Sequence, residues 1–299
     1  MSDQGPLISR VAAPAVALET AFLTSGLPME QRLAAAEGMA AAVRERNAVP
    51  AFIGVVAGRP IVGLQQTEIE LLAKQDLKVS TRDLPMALAR RSHGGTTVAA
   101  TAFLARRAGL VVAATGGIGG VHIARGLPEA LDISADLHEL RRTAIVLVCS
   151  GAKAIVDLRA TLERLETLGI AVIGFGTDEL PAFWSPESGI RLESRVESAE
   201  EVVEIWRAAR GIESPGSLLV CVPPPAEVAL ARDETERAVS RALSDLDMAG
   251  IKGPAVTPFL LARIAEHTQG RSLLANLGLL ANNAAVAASI VNALEATAR

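Results

Sequence analysis

TAIVLVCSGAK, residues 143–153, sets the fold class. Its first seven residues form a mostly apolar, β-branched run, as expected of a strand buried on both faces. Ser150, Gly151 and Ala152 then make a small-residue turn, and Lys153 follows. Similar runs recur at 15–19 (AVALE), 51–57 (AFIGVVA), 110–114 (LVVAA), 170–175 (IAVIGF) and 217–222 (SLLVCV). Between them lie Ala-rich stretches that read as helices at 29–47, 84–91, 96–108, 153–168, 198–210, 225–247, 257–268 and 271–296. This alternation predicts an α/β protein with helices on both faces of a sheet. We expect a single α/β/α domain over 1–299, built on one large mixed, mostly parallel sheet. Ligands of such sheets sit outside the carboxyl ends of the strands, so the strand-to-helix turns are where chemistry is sought.

Composition narrows the function classes. The chain has 299 residues, half of them hydrophobic, and a formal net charge of −4. No basic block supports a nucleic-acid partner, and with 3% aromatic residues and no Tyr there is no stacking platform for single strands. Cys149 and Cys221 end apolar runs and read as small core residues, so nothing calls for an oxidising compartment. The start, MSDQGPLISR, lacks the pattern of a secretory signal. The most lipid-like stretch, 273–291, carries Asn276, Asn282 and Asn283, which would be costly in hydrocarbon. A buried helix in a cytoplasmic protein is expected there, with no membrane partner.

Lysine is scarce. Of 29 basic residues only Lys74, Lys78, Lys153 and Lys252 are lysine. Arg fills the ordinary surface role, which raises interest in a Lys that can lose its proton and act as a nucleophile. Lys153, at the end of a buried strand and expected on the first turn of the next helix, is the best placed. From position alone it serves equally as a capping or salt-bridging residue. Glu19 also ends a buried strand, as a general acid/base or an edge-strand surface group.

Three turns add candidates. Thr115–His122 (TGGIGGVH) follows the strand at 110–114, but His122 stands where the third glycine of a dinucleotide fingerprint would be, so a Rossmann site is rejected. What remains is a turn whose amides can approach an anion. Ser92–Thr97 (SHGGTT) precedes a helix, where Thr96 and Thr97 could cradle a phosphate or simply cap. Asp132–Asp136 (DISAD) reads as a helix cap or as a hard-oxygen site for a divalent cation.

Taken in order, these turns resemble the pseudouridine-5′-phosphate glycosidase family, which includes the indigoidine-synthase-A-like proteins. The matching stretches are VALET (16–20), KVSTRDLP (78–85), GGTTVAAT (94–101), ATGGIGGVH (114–122), DISAD (132–136), GAK (151–153), GTDELPAF (176–183), VTPFLL (256–261), Ala275-Asn276 and Asn282-Asn283. The resemblance implies reversible cleavage of the C1′–C5 bond of pseudouridine 5′-phosphate to uracil and ribose 5-phosphate. It also implies a divalent metal, commonly Mn²⁺ or otherwise one such as Mg²⁺, and a homotrimer.

By the same resemblance Lys153 is the Schiff-base nucleophile, Glu19 the general acid/base and Asp132 the metal ligand. Lys78 and Val98, the latter through its backbone, contact substrate. So do Ser134, Ala135 and Asp136, while His122 and Asn276 lie near the nucleobase. Departures fall around these residues. Ser25 stands where the family has His, Met29 where it has Tyr, and Ile123 where it has Arg. The stretch to Asp132 is longer and contains Arg125. These changes motivate an alternative: a C-glycoside synthase joining ribose 5-phosphate to a non-uracil carbon acceptor. A sugar-phosphate-binding regulator with a dead site is the non-enzymatic rival, opposed by the retention of Glu19, Asp132 and Lys153 together.

Overall fold

The computed structural model describes residues 7–123, 132–251 and 253–297. Met1–Pro6, Arg125 with the rest of 124–131, and Lys252 lie outside the described residues. Thirteen strands are described: β1 (Ile8–Ser9), β2 (Ala15–Leu18), β3 (Val49–Val56), β4 (Arg59–Val62), β5 (Lys78–Val79), β6 (Gly94–Thr96), β7 (Val112–Ala114), β8 (Val121–His122), β9 (Val146–Cys149), β10 (Val156–Asp157), β11 (Ala171–Phe175), β12 (Arg195–Val196) and β13 (Leu218–Cys221). The main sheet runs β1-β4-β3-β2-β7-β9-β13-β11-β12, with β6 on β3 and β5 on β6. The six runs anticipated from sequence are its contiguous centre, β3-β2-β7-β9-β13-β11, and every neighbouring pair there is parallel. β4 and β6 pair antiparallel with β3, which makes the sheet mixed at one side.

The other strands are the ones the sequence did not announce. Most are two to four residues long, too short to show a period, and β4 contains Pro60. Gly94–Thr96, read as a loop and cap, is a strand because Gly95 lets it lie against the backbone after β2. A Cβ there would stand 2.3 Å from the Thr20 carbonyl oxygen.

The helices are α1 (Ala21–Thr24), α2 (Met29–Arg44), α3 (Gln66–Leu72), α4 (Leu84–Ala89), α5 (Val98–Arg107), α6 (Ala135–Arg142), α7 (Leu158–Thr167), α8 (Ala199–Gly211), α9 (Arg232–Ala249), α10 (Val256–His267) and α11 (Arg271–Ala296). Two expected starts move. The helix placed at 153–168 begins at Leu158, because 156–157 pair with β8 and Asp157 caps α7 through Ala160 N at 2.9 Å. Lys153 therefore stands on a loop, not on a helical turn. The helix placed at 225–247 begins at Arg232. Pro225 turns the chain, its carbonyl accepting from Val228 N at 3.1 Å and Ala229 N at 3.0 Å, and Leu230 N is drawn to Trp184 O at 2.8 Å.

α11 is the one described helix long and apolar enough to cross a membrane, with mean hydropathy 1.5, yet 56% of that window is buried inside the protein. It packs on α2 and on the central strands β2, β7 and β9. Its Asn283 is fully buried and supplies what those strand ends lack. Nδ2 donates to Thr115 O at 2.9 Å and to Gly116 O at 3.3 Å, with Ser150 Oγ 3.1 Å away. One amide thus ties the ends of β7 and β9 to the helix. Cys149 and Cys221, fully buried neighbours on β9 and β13, fill core positions as expected.

Asn283→Ala would strand the buried Thr115 carbonyl, leave Gly116 O with Ser150 N as its donor, and open a small void. We expect a loss of about 2–4 kcal/mol in folding stability, read as a lowered denaturant midpoint with unchanged slope.

Candidate active site

Chain order sets the location. After β2 the chain adds β3 on one side and later returns to place β7 on the other. The join of β2 and β7 is therefore a topological switch point, with a crevice beyond their carboxyl ends. Glu19 follows β2 and Thr115 follows β7. Thr115 Oγ1 donates to Glu19 Oε1 at 2.5 Å, closing the crevice floor. Glu19 is 6% exposed. Burial pushes its carboxyl above the ordinary value of 4.5. Lys153 and the Thr115 hydrogen bond pull it down, Asp136 adds to the rise, and Lys78 opposes it weakly.

Two lysines face this carboxyl from different elements. Lys153 stands beyond β9 on a loop fixed at both ends. Ile118 N donates to Gly151 O at 3.1 Å, and Lys153 N donates to Ile118 O at 3.0 Å. Gly151 has φ +70°, and a Cβ on it would meet Pro181 O at 2.2 Å, so no other residue makes this bend without displacement. Lys78 opens β5, opposite Gly95 in register, one short strand away from Thr20. Solvent reaches its side chain. Even so, the surrounding protein lowers its pKa, first by desolvation, then by repulsion from Lys153, against the attraction of Asp136, Glu19 and Asp83. Glu19, Lys78, Lys153 and Asp136 thus form one electrostatically coupled group.

Asp136 organises the next layer. It is 6% exposed, and its two oxygens accept from Ala99 N and Gly119 N, each at 2.9 Å. It therefore joins the amino end of α5 to the glycine turn after β7. Ser134 caps α6, accepting from Asp136 N at 3.2 Å, and Ala135 is the first residue of that helix. At the start of α5, Thr97 Oγ1 accepts from Ala100 N at 3.4 Å. Val98 N–H, between the occupied amides of Thr97 and Ala99, has no partner among the described residues. That leaves it available to an anion at a helix amino end, the contact expected through backbone.

Thr96 departs from expectation. It has no exposed surface, and its hydroxyl donates to Ile53 O at 2.6 Å and meets Thr101 Oγ1 at 2.8 Å. The hydroxyl ties β6 to β3, and it has no free direction in which to meet a phosphate. The glycine turn is also less open than its composition suggests. The N–H groups of Ile118, Gly119 and Val121 are all taken by protein acceptors.

His122, on β8, holds Asp132: Nδ1 lies 2.8 Å from Asp132 Oδ2, and His122 N donates to Asp132 O at 3.0 Å. The Asp132 side chain is 62% exposed, so its second oxygen faces solvent. No cluster of three His, Cys, Asp or Glu side chains with ligand geometry occurs among the described residues. Asn276 is buried, two helical turns before Asn283 on the same face of α11, and its carboxamide has no hydrogen bond among the described residues. Thr115 and Asn283 were given no role in the sequence reading. Thr115 follows a buried strand just as Glu19 does, and that parallel was the available signal.

Comparison with known proteins follows from this geometry. Residues 8–293 match the family described as Indigoidine synthase A like protein. A protein of Chloroflexus aurantiacus named pseudouridine-5′-phosphate glycosidase is 49% identical over 281 residues, 92% of each chain. The crystal structure of an indigoidine synthase A-like protein from Thermotoga maritima superposes with a TM-score of 0.89 at 38% identity, covering 97% of this chain and 96% of that one. The prealnumycin C-glycosynthase AlnA, solved with ribulose 5-phosphate, superposes with a TM-score of 0.86 at 36% identity, covering 97% of this chain and 98% of that one.

The raised Glu19 pKa has a stability consequence with a definite sign. A carboxyl that holds its proton more tightly when folded contributes in full below about pH 4.5, and that contribution is lost as pH rises through the folded-state pKa. Gln at this position never ionises and keeps an acceptor for Thr115. Glu19→Gln should therefore melt about 2 °C or more above wild type at pH 7.5, with the gap vanishing near pH 4, in thermal melts across that range.

Proposed function

The chain belongs to the indigoidine synthase A-like family, and on that premise we propose that it is a pseudouridine-5′-phosphate glycosidase. The reaction cleaves the C1′–C5 bond of pseudouridine 5′-phosphate with water, reversibly, to uracil and ribose 5-phosphate. The observation that carries this reading is the convergence of Glu19, Lys78 and Lys153 at the switch point of a parallel sheet.

The chemistry needs such a set. A carbon leaving atom offers no lone pair to protonate, so the usual two-carboxylate glycosidase mechanism does not serve. An electron sink at C1′ does. Glu19, held protonated more readily than an ordinary carboxyl, delivers its proton to the ring oxygen as the C1′–O4′ bond opens. The Lys153 amine, its proton passed to the Glu19 carboxylate, bonds to C1′. Its lone pair then forms the C=N bond as the C1′–C5 bond breaks, C5 takes up a proton, and uracil leaves. Water hydrolyses the imine, which frees ribose 5-phosphate and restores Lys153. Lys78 and the Val98 N–H, with Thr97 beside it, hold the phosphate, and the arriving anion restores the charge that burial weakens on Lys78. Asn276 and His122 face the base, and Ser134, Ala135 and Asp136 line the sugar side.

Asp132 fits a divalent cation such as Mn²⁺ or Mg²⁺. It offers one hard, solvent-facing oxygen, and such ions keep most of their waters and take one or two carboxylates plus phosphate oxygens. When bound, such an ion would supply positive charge to offset the charge of the substrate phosphate. We place the enzyme in the cytoplasm, as a single functional domain working in a homotrimer.

A second reading has a specific observation behind it. The likeness to a C-glycosynthase favours the same imine chemistry run forward onto a non-uracil carbon acceptor. Ser25, which ends α1 one short helix after Glu19, and exposed Met29 are the positions at which acceptor choice would differ.

Borohydride reduction during turnover should fix a pentose phosphate on Lys153, located by peptide mass spectrometry. Lys153→Arg keeps the charge and cannot form an imine, so it should fold, bind ribose 5-phosphate and show no turnover. An adduct confined to Lys78, or turnover by the Arg variant, would reassign the nucleophile. Asp132→Ala should bind Mn²⁺ at least tenfold more weakly, read from the electron paramagnetic resonance of free Mn²⁺, and lose most activity. Full activity still suppressed by chelator would place the ion elsewhere.

A further inference from the structure

Behind the Lys153 loop lies a second cavity, of about 250 Å³, that shares no residue with the coupled group around Glu19. Arg232, Thr235, Glu236, Val239, Ser240 and Leu243 supply one wall. Their spacing places them on a single stripe of α9. Ala154 and Ala182 supply part of the opposite wall. Both belong to the segments that fix the catalytic loop: Gly151 bridges Ala182, and Phe183 N donates to Ser150 O at 3.1 Å.

Thr235 makes this more than a packing gap. It is 4% exposed, it lines the cavity, and its Oγ1 has no hydrogen-bond partner among the described residues. A buried hydroxyl left unpaired costs about 1–3 kcal/mol, a debt that an occupant with an acceptor or donor would cancel. Size and charge describe that occupant. The volume lies below the roughly 300–1,000 Å³ of sites for drug-sized ligands, which points to one ring. Arg232 is already paired with Glu236 at 2.7 Å, and the fields of Glu179 and Glu187 also act on it, so the mouth carries excess negative charge and disfavours a phosphate. The Thr235 hydroxyl offers a donor to a carbonyl group, and Glu187 at the mouth accepts from N–H. Aliphatic walls suit the faces of a flat ring.

We propose that this cavity is a second binding site for a neutral pyrimidine base or comparable cyclic imide, seated against the loop that carries Lys153. The inference goes beyond the glycosidase reading and does not require it, because occupancy is read by binding alone.

The test is equilibrium dialysis of radiolabelled uracil against the full chain, without metal or sugar phosphate. Thr235→Val removes the hydroxyl at constant shape and should fold at least as stably as wild type, while weakening uracil binding about three- to tenfold. Ser240→Trp, at an exposed mouth position, should remove one equivalent of bound uracil per chain, apart from any held in the crevice. Absence of uracil binding, or binding indifferent to both cavity variants, would overturn the site and leave the Lys153 adduct to decide the glycosidase reading separately.

Discussion

A carboxyl buried where two parallel strands diverge is the constraint from which the rest of the site follows. Glu19 leaves β2 with almost no solvent around it, and water cannot stabilise its charge. The protein offers Thr115 as a donor and two lysines as counter-charges. Their sum falls short of full compensation, so the carboxyl holds its proton more tightly than usual. Lys78 feels the same crowding and is drawn towards neutrality by desolvation and by Lys153. Glu19 is thus brought towards the protonated state that ring opening needs, with the Lys153 nitrogen beside it. An isolated Glu side chain is ionised at neutral pH and has no such proton to give.

Holding these groups together calls for backbone to pass backbone at close range, which explains the glycines and the buried amide. Gly95 lets the Lys78–Gly95 strand pair press on Thr20, and Gly151 bends the Lys153 loop past Pro181. Asn283 of α11 saturates the carbonyls left at the end of β7, and Asp136 does the same for amides of α5 and the glycine turn. These residues need not touch a substrate to matter. Each satisfies a polar group that the crevice would otherwise bury unpaired.

Much of this was legible in the chain, for physical reasons. Strands buried on both faces are continuous apolar runs, so all six central strands could be read, and the residues just beyond them, Glu19 and Lys153, could be singled out. The short strands β5, β6, β8 and β10 were not legible, because two or three residues carry no period and their pairing is set by tertiary contact. That loss displaced Lys153 from helix to loop. It also made Thr96 look like part of a phosphate cradle when its hydroxyl is spent on Ile53 O. Thr115 was hidden among glycines. Its partner is 96 residues away in sequence, and no local pattern announces such a pair.

The account stands on one claim: this crevice breaks a carbon–carbon glycosidic bond through an amine. Incubation of the purified chain with pseudouridine 5′-phosphate and Mn²⁺, followed by quantification of free uracil and ribose 5-phosphate, tests it most directly. The account predicts that both products appear in equal amounts. Recovery of intact pseudouridine 5′-phosphate, with ribose 5-phosphate instead consumed onto another carbon acceptor, would contradict it.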